Sequence, residues 1–181
     1  LVRSMCELES PGPQKFIWPV FIKAGNNVLE PISSLPGQFY YSADTVCRAL
    51  KDVVNQGINS VMIFAVIPNE FRTKNAEYSY AEKGIVQVAI KEIRKQFPNL
   101  IIFGDVGLTG YTEDGHAQLV NEKGEFDNTF SLDTIKKITL SFAKAGASGV
   151  APSGMIDGQV TELRKFLDTS GFKDTLILSY S

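Results

Sequence analysis

Stretches of apolar residues alternate along this chain with segments whose apolar positions recur every three or four residues. Phe16 to Lys23 (FIWPVFIK), Ser60 to Ile67 (SVMIFAVI) and Leu100 to Phe103 are short apolar runs. They read as strands buried on both faces. Val150 and Ala151 form a shorter run of the same kind, and Thr175 to Ser181 (TLILSYS) a fifth. Pro19 is a local irregularity in the first. Between the runs the period changes. Ser42 is placed to cap a helix with Val46, Leu50, Val53 and Val54 on one face, ended by Gly57. Glu82 to Phe97 predicts a second helix, carried by Ile85, Val88, Ala89 and Ile93 and stopped by Pro98. Ser131 is placed to cap a third, along Ile135, Ile138, Phe142 and Ala145, closed by Gly146. Gly158 to Gly171 predicts a fourth through Val160, Leu163 and Leu167. Gly25 to Gly37 and Pro68 to Ala81 read as loops, and Glu122-Lys123-Gly124 as the turn of a small hairpin.

This order is βα four times and then β, which demands a parallel sheet with right-handed crossovers. Two architectures fit. A doubly wound five-strand sheet would be complete at this length. A (β/α)8 barrel takes about 250 residues and would be represented only by its first five strands. The last strand has no covering helix after it and runs into a polar Ser179-Tyr180-Ser181 tail, where a barrel enzyme places active-site groups. The truncated barrel is the favoured expectation, with residues 1–15 as an N-terminal arm and 16–181 as the partial barrel. Such a half-open sheet would leave strand edges near Phe16 and Leu176 unpaired.

Composition adds exclusions. The chain has 181 residues, 44% apolar and 21% charged, with a formal net charge of -2. That is an ordinary globular mix, with no electrostatic case for nucleic acid or an anionic membrane. No apolar run approaches a membrane span, and the start shows no signal-peptide pattern. Cys6 and Cys47 make neither a disulfide framework nor a metal spacing. Free thiols in a reducing, cytoplasmic setting are the expectation.

The chemistry concentrates in LIIFGDVGLTGYTEDGHA, Leu100 to Ala117. Asp105 stands where a buried strand opens into a long polar loop, a usual address for catalysis in α/β folds. It could orient or deprotonate an amine or hydroxyl, or simply cap the loop by bonding its own backbone. Ser153, after the fourth strand, could hydrogen-bond a carboxylate or carbonyl. His116, the only histidine, stands near Glu113 and Asp114. It is either a metal ligand short of partners or a solvated loop residue. Lys23, at the end of the first strand, would be a Schiff-base amine if desolvated, and otherwise reaches for water. Glu122, Glu125 and Asp127 read as a solvated hairpin surface. Gly104, Gly107 and Gly110 match no nucleotide motif.

GDVGLTGYTEDGHA resembles the DVCLCPYTSHGHCG-type loop of the porphobilinogen synthase (5-aminolevulinate dehydratase) family. EPISSLPGQFYYS, LVNEKGEFDN, AGASGVAPSGMIDGQV and ILSYS resemble further family segments in the same order. The resemblance implies a TIM barrel and a lyase of porphyrin and haem biosynthesis, condensing two 5-aminolevulinate molecules into porphobilinogen. It implies that Asp105 lies beside the substrate amine and Ser153 in the pocket. It also implies a homo-oligomer, and two Schiff-base lysines that follow the SYS segment, beyond residue 181, so that this stretch alone would be inactive. The family's zinc cysteines correspond to Gly107, Thr109 and Ala117, none of them a serviceable zinc ligand. No cofactor is therefore expected at that loop, with Mg²⁺ possible elsewhere in the full-length protein. Gly154 stands where the family has Asp. The alternative is a non-catalytic paralogue acting as a binding or assembly subunit.

Overall fold

A computed structural model describes residues 12–180. Most of the expected arm, Cys6 and Ser181 lie outside the described residues. Gly12 to Lys15 lies within them, and Pro13–Lys15 form a single 3-10 turn.

One sheet organises the chain. In sequence order its strands are β1 (Trp18–Lys23), β2 (Leu29–Pro31), β3 (Phe39–Tyr41), β4 (Ser60–Val66), β5 (Ile101–Val106), β6 (Gly149–Pro152) and β7 (Leu176–Ile177). In space the order is β2-β3-β1-β4-β5-β6-β7. Every pairing is parallel except β2 with β3. The helices are α1 (Ala43–Asn55), α2 (Ile85–Gln96), α3 (Asn128–Ala145) and α4 (Gln159–Thr169). The alternation expected from the sequence is present, with two strands added.

β2 corrects the reading of Gly25 to Gly37 as plain loop, and β3 falls just after it, where the sequence predicts no element. Leu29–Pro31 and Phe39–Tyr41 make a short antiparallel pair, with Leu29 opposite Tyr41. β3 then joins β1 in parallel through Phe21 and Ile22. The edge expected to be bare near Phe16 is therefore partly covered, whereas β7 stands as an open edge at the other end of the sheet. β3 leaves the first half of β1 with a single neighbour, so Pro19 sits where a missing N–H costs least.

The two faces of the sheet differ. Val20, Ile22, Val61, Ile63, Ile102 and Val150 point to the helices and are buried against Val46, Leu50, Ile90, Ile135, Ile138, Phe142 and Leu163. Close approach of α3 needs Gly104: a Cβ there would lie 2.5 Å from the Phe142 ring. On the other face Met62, Phe103 and Ala151 cluster with Phe64, whose ring stacks on Phe21 at 5.5 Å. Gly149 has the matching role on this face, since a Cβ would meet Phe103 at 2.6 Å.

Three helix details depart from expectation. α3 begins earlier than a Ser131 cap would allow. Asp127 is the N-cap, accepting the Phe130 N–H at 2.9 Å. Ser131 instead lies inside the first turn, donating to the Asp127 carbonyl at 2.6 Å and accepting the Leu119 N–H at 2.9 Å. Asp127 is thus not a solvated hairpin acid. Its neighbours Glu122 and Glu125 are exposed, and Val120 and Phe126 make the one bridge of the small hairpin. On α2 the expected Ala89 and Ile93 are buried, joined by Val86 and Ile90, whereas Val88 is exposed. In α4, Leu163 and Leu167 are buried and Val160 is exposed.

Candidate active site

The C-terminal ends of the parallel strands gather at one rim of the sheet. Residue parity then decides what faces the non-helical side. Phe103 and Asp105 are two apart on β5, so both project to the face lined by Met62 and Ala151. Asp105 is paired in register with Ala151, which places it two residues from Ser153 across the rim. The Ser153 N–H donates to the Val106 carbonyl at 3.3 Å, and the Tyr180 N–H to the Pro152 carbonyl at 3.2 Å. The ladder so extends past the named strands and holds Ser153 and Tyr180 beside Asp105.

Asp105 is a largely buried carboxyl group. Burial raises its pKa to about 6, with the Ser153 hydroxyl pulling in the opposite direction by hydrogen bonding to the charged form. Its Oδ1 is buried with no hydrogen-bond partner. Capping of its own loop was the competing reading, and no backbone N–H accounts for this oxygen. A buried acceptor left open at a rim is a group with capacity for a ligand.

Gly107 explains how Asp105 and Ser153 come to share one space. A Cβ on Gly107 would lie 2.7 Å from Ser153 Oγ and 3.1 Å from Asp105 Oδ2. The missing side chain lets the Ser153 hydroxyl and the Asp105 carboxylate close in on the Gly107 backbone, where a methyl group would collide with Ser153 Oγ. Tyr111 and Tyr180 flank the same acid. Burial raises both phenols, and the Asp105 charge adds to the rise in each. Tyr180 belongs to the tail expected at this rim, whereas Tyr111 carries no sequence signal, because nothing in the spacing shows that the loop folds back. It does fold back: Leu108, Tyr111, Thr112 and Leu119 are buried, and the Tyr111 carbonyl accepts the Thr73 N–H at 3.1 Å. The segment expected to lie wholly outside the core is anchored in it.

The remaining candidates stand apart. Lys23 is ion-paired with Glu30 at 2.6 Å and half exposed. It is a solvated, paired ammonium and not a desolvated amine. His116 is exposed, its ring edge-on to Phe126 at 5.5 Å. Asp114 accepts the His116 backbone N–H at 3.0 Å, so this acid shapes the turn. Among the described residues no three His, Cys, Asp or Glu side chains come together as a metal site. At the three positions aligned with the zinc cysteines, Gly107 has no side chain, Ala117 offers a methyl group, and Thr109 carries an exposed hydroxyl. This donor set does not fit zinc. Cys47 is buried in the core, its thiol pushed up to about 11 by burial and then by Glu92 and Asp44. No helix of the described residues is long and apolar enough to cross a membrane.

Comparison with known proteins gives a single answer. The sequence matches the family described as Delta-aminolevulinic acid dehydratase over residues 1–181. It is 39% identical over 165 residues to the delta-aminolevulinic acid dehydratase of Ruminiclostridium josui, covering 91% of this chain and 79% of that one. With the Bacillus subtilis protein of the same description it shares 37% over 180 residues, covering 99% and 55%. The fold matches the crystal structure of delta-aminolevulinic acid dehydratase (porphobilinogen synthase) from Toxoplasma gondii ME49 in complex with the reaction product porphobilinogen. The TM-score is 0.94 at 32% identity, over 99% of this chain and 51% of that one. The chain spans about half the length of most curated relatives it matches. Its sheet is the first part of a (β/α)8 barrel, with β2 and β3 as an addition beside β1.

Proposed function

The chain belongs to the delta-aminolevulinic acid dehydratase family, and from that premise we propose that it is the N-terminal part of an enzyme that condenses two 5-aminolevulinate molecules into porphobilinogen. The observation that carries this reading is the open, buried Oδ1 of Asp105, held beside the Ser153 hydroxyl at the strand rim. A primary ammonium arriving at this rim would donate to the open Asp105 Oδ1. With a pKa of about 6, Asp105 is mostly ionised at neutral pH yet basic enough to take a proton. Removing that proton from the substrate ammonium leaves a neutral, nucleophilic amine. The Ser153 hydroxyl holds the substrate in register by donating to its oxygen. Tyr111 closes the base of the rim and keeps water from the carboxylate.

Zinc has no part in this reading, because Gly107, Thr109 and Ala117 offer no suitable donors. The Schiff-base lysines that the family resemblance implies would stand downstream of Ser179 and Tyr180. Homo-oligomeric assembly and a cytoplasmic location belong to the same proposal and rest on the family alone.

The test uses the protein with its downstream segment. Wild type should form porphobilinogen from 5-aminolevulinate, and chelator should leave the contribution of this loop unchanged. Asp105→Asn should lower kcat/KM by roughly 10²- to 10⁴-fold, the usual worth of a positioned acid or base. Full activity in Asp105→Asn would end the assignment. A folded wild-type protein that binds 5-aminolevulinate but never turns it over would instead favour a non-catalytic assembly subunit, a reading to which Gly154, in place of the family's Asp, lends some support.

A further inference from the structure

The helical side of the sheet carries a second concavity, unrelated to Asp105. Where α2 and α3 diverge beside the Glu77–Tyr80 turn, a groove of about 530 Å³ opens. Three lysines line it: Lys91 from α2, and Lys137 and Lys144 from α3. Glu82 is the one acid among the lining residues. Lys137 and Lys144 are seven residues apart, so they stand about 10 Å apart along the same side of α3. Lys91 faces them from the opposite wall.

Two further observations distinguish these lysines from a merely solvated helix face. First, none of the three makes an ion pair among the described residues. Their neighbour Lys136, one residue from Lys137, is by contrast tied to Glu162 at 3.0 Å and to Asp133 at 3.5 Å. Acids are available on this surface and satisfy the lysine outside the groove. Second, the groove floor is built and rigid. The Gln87 side chain is 2% exposed, and its amide nitrogen donates to the Ser79 carbonyl at 2.8 Å and to Ser141 Oγ at 2.9 Å. That contact locks α2, α3 and the turn together. Lys137 is steadied as well, 5.3 Å from the centroid of the Tyr80 ring.

We propose that this groove is a binding site for a small polyanion bearing two or more phosphate or carboxylate groups. Three cations against one carboxylate leave a local positive excess on a chain whose formal charge is -2. Ammonium groups on flexible stems bind such anions as point charges and can converge on a ligand of variable shape. A bound polyanion would bridge α2 to α3 and stabilise the fold by mass action.

Isothermal titration calorimetry on the full-length protein at low ionic strength tests this, with tripolyphosphate as first probe and citrate as second. The expected result is one saturable site per chain, weakened by added salt. The Lys137→Ala/Lys144→Ala double variant should bind about tenfold more weakly or worse, while Lys51→Ala on α1 binds as wild type does. Lys137, Lys144 and Lys51 are all exposed, so the fold should survive, and circular dichroism checks that it does. Tighter binding of tripolyphosphate would assign phosphate as the natural group, and tighter binding of citrate would assign carboxylate. No saturable binding, several equivalent weak sites, or a double variant that binds as tightly as wild type would each overturn the proposal.

Discussion

Asp105 carries opposite consequences for stability and for chemistry. Its folded pKa of about 6 lies above the ordinary carboxylate value near 4. Between those values the folded chain holds a proton that the unfolded chain has released. The contribution of this group to stability is therefore fully present below about pH 4. It is lost as pH rises through about 6, by at most about 3 kcal/mol. Asp105→Asn cannot ionise and escapes that loss. Denaturant unfolding from pH 4 to pH 8 should show Asp105→Asn gaining on wild type across the interval. A difference that stays flat would mean the carboxylate is not desolvated. Sequence alone showed Asp105 at a strand end and Ser153 after the next strand. It could not show that Gly107 lets them meet, because that depends on where a missing Cβ would point. Lys23 shows the reverse limit: a strand-end lysine is visible in the sequence, but its ion pair with Glu30 depends on β2, a stretch that reads as loop.

At the level of elements, the strand order was legible because buried strands are continuous apolar runs. The short strands were not. Leu29–Pro31 is exposed throughout and has no alternation to read. Phe39–Tyr41 is three residues long and ends against the Ser42 cap of α1. Helix faces were legible only to within a residue or so. Val88 and Val160 look like core in a helical repeat, but Val86 and Ile90 take inward positions on α2, and on α4 the expected Leu163 and Leu167 are buried without Val160. The α3 cap was ambiguous for a chemical reason: Asp127 and Ser131 are both good N-cap residues, and the earlier one holds the position. A residue with no sequence signature joins the elements most firmly. Arg94, near the end of α2, donates to the carbonyls of Gly146, Pro98 and Leu100 and to Ser148 Oγ, all within 3.0 Å. It thereby fixes the entries to β5 and β6. Arg94→Ala should cost about 2–3 kcal/mol in urea unfolding, since it strands partly buried acceptors of a charged donor. Arg94→Lys should recover little, because an ammonium lacks the guanidinium fork. A loss within 0.5 kcal/mol, the usual range for surface changes, would show that water replaces these contacts.

On the scale of the whole molecule, the sheet has a covered side and an open one. β3 and β2 cover part of β1, while β7 ends the sheet with Leu176 53% and Leu178 39% exposed. No proline or charge interrupts Leu176 to Tyr180, so this edge lacks the usual guards against further pairing. Residues 1–181 expressed alone should therefore self-associate in light scattering after gel filtration, and Leu176→Lys should reduce that association. A sharp, cooperative melt of a monomer would contradict the open edge. The most direct test of the account is a crystal structure of the protein with its downstream segment, bound to porphobilinogen. The account predicts the product's amino nitrogen at the strand rim beside Ser153, within about 3.2 Å of Asp105 Oδ1. A product bound elsewhere, or with its amine turned away from Asp105, would contradict it.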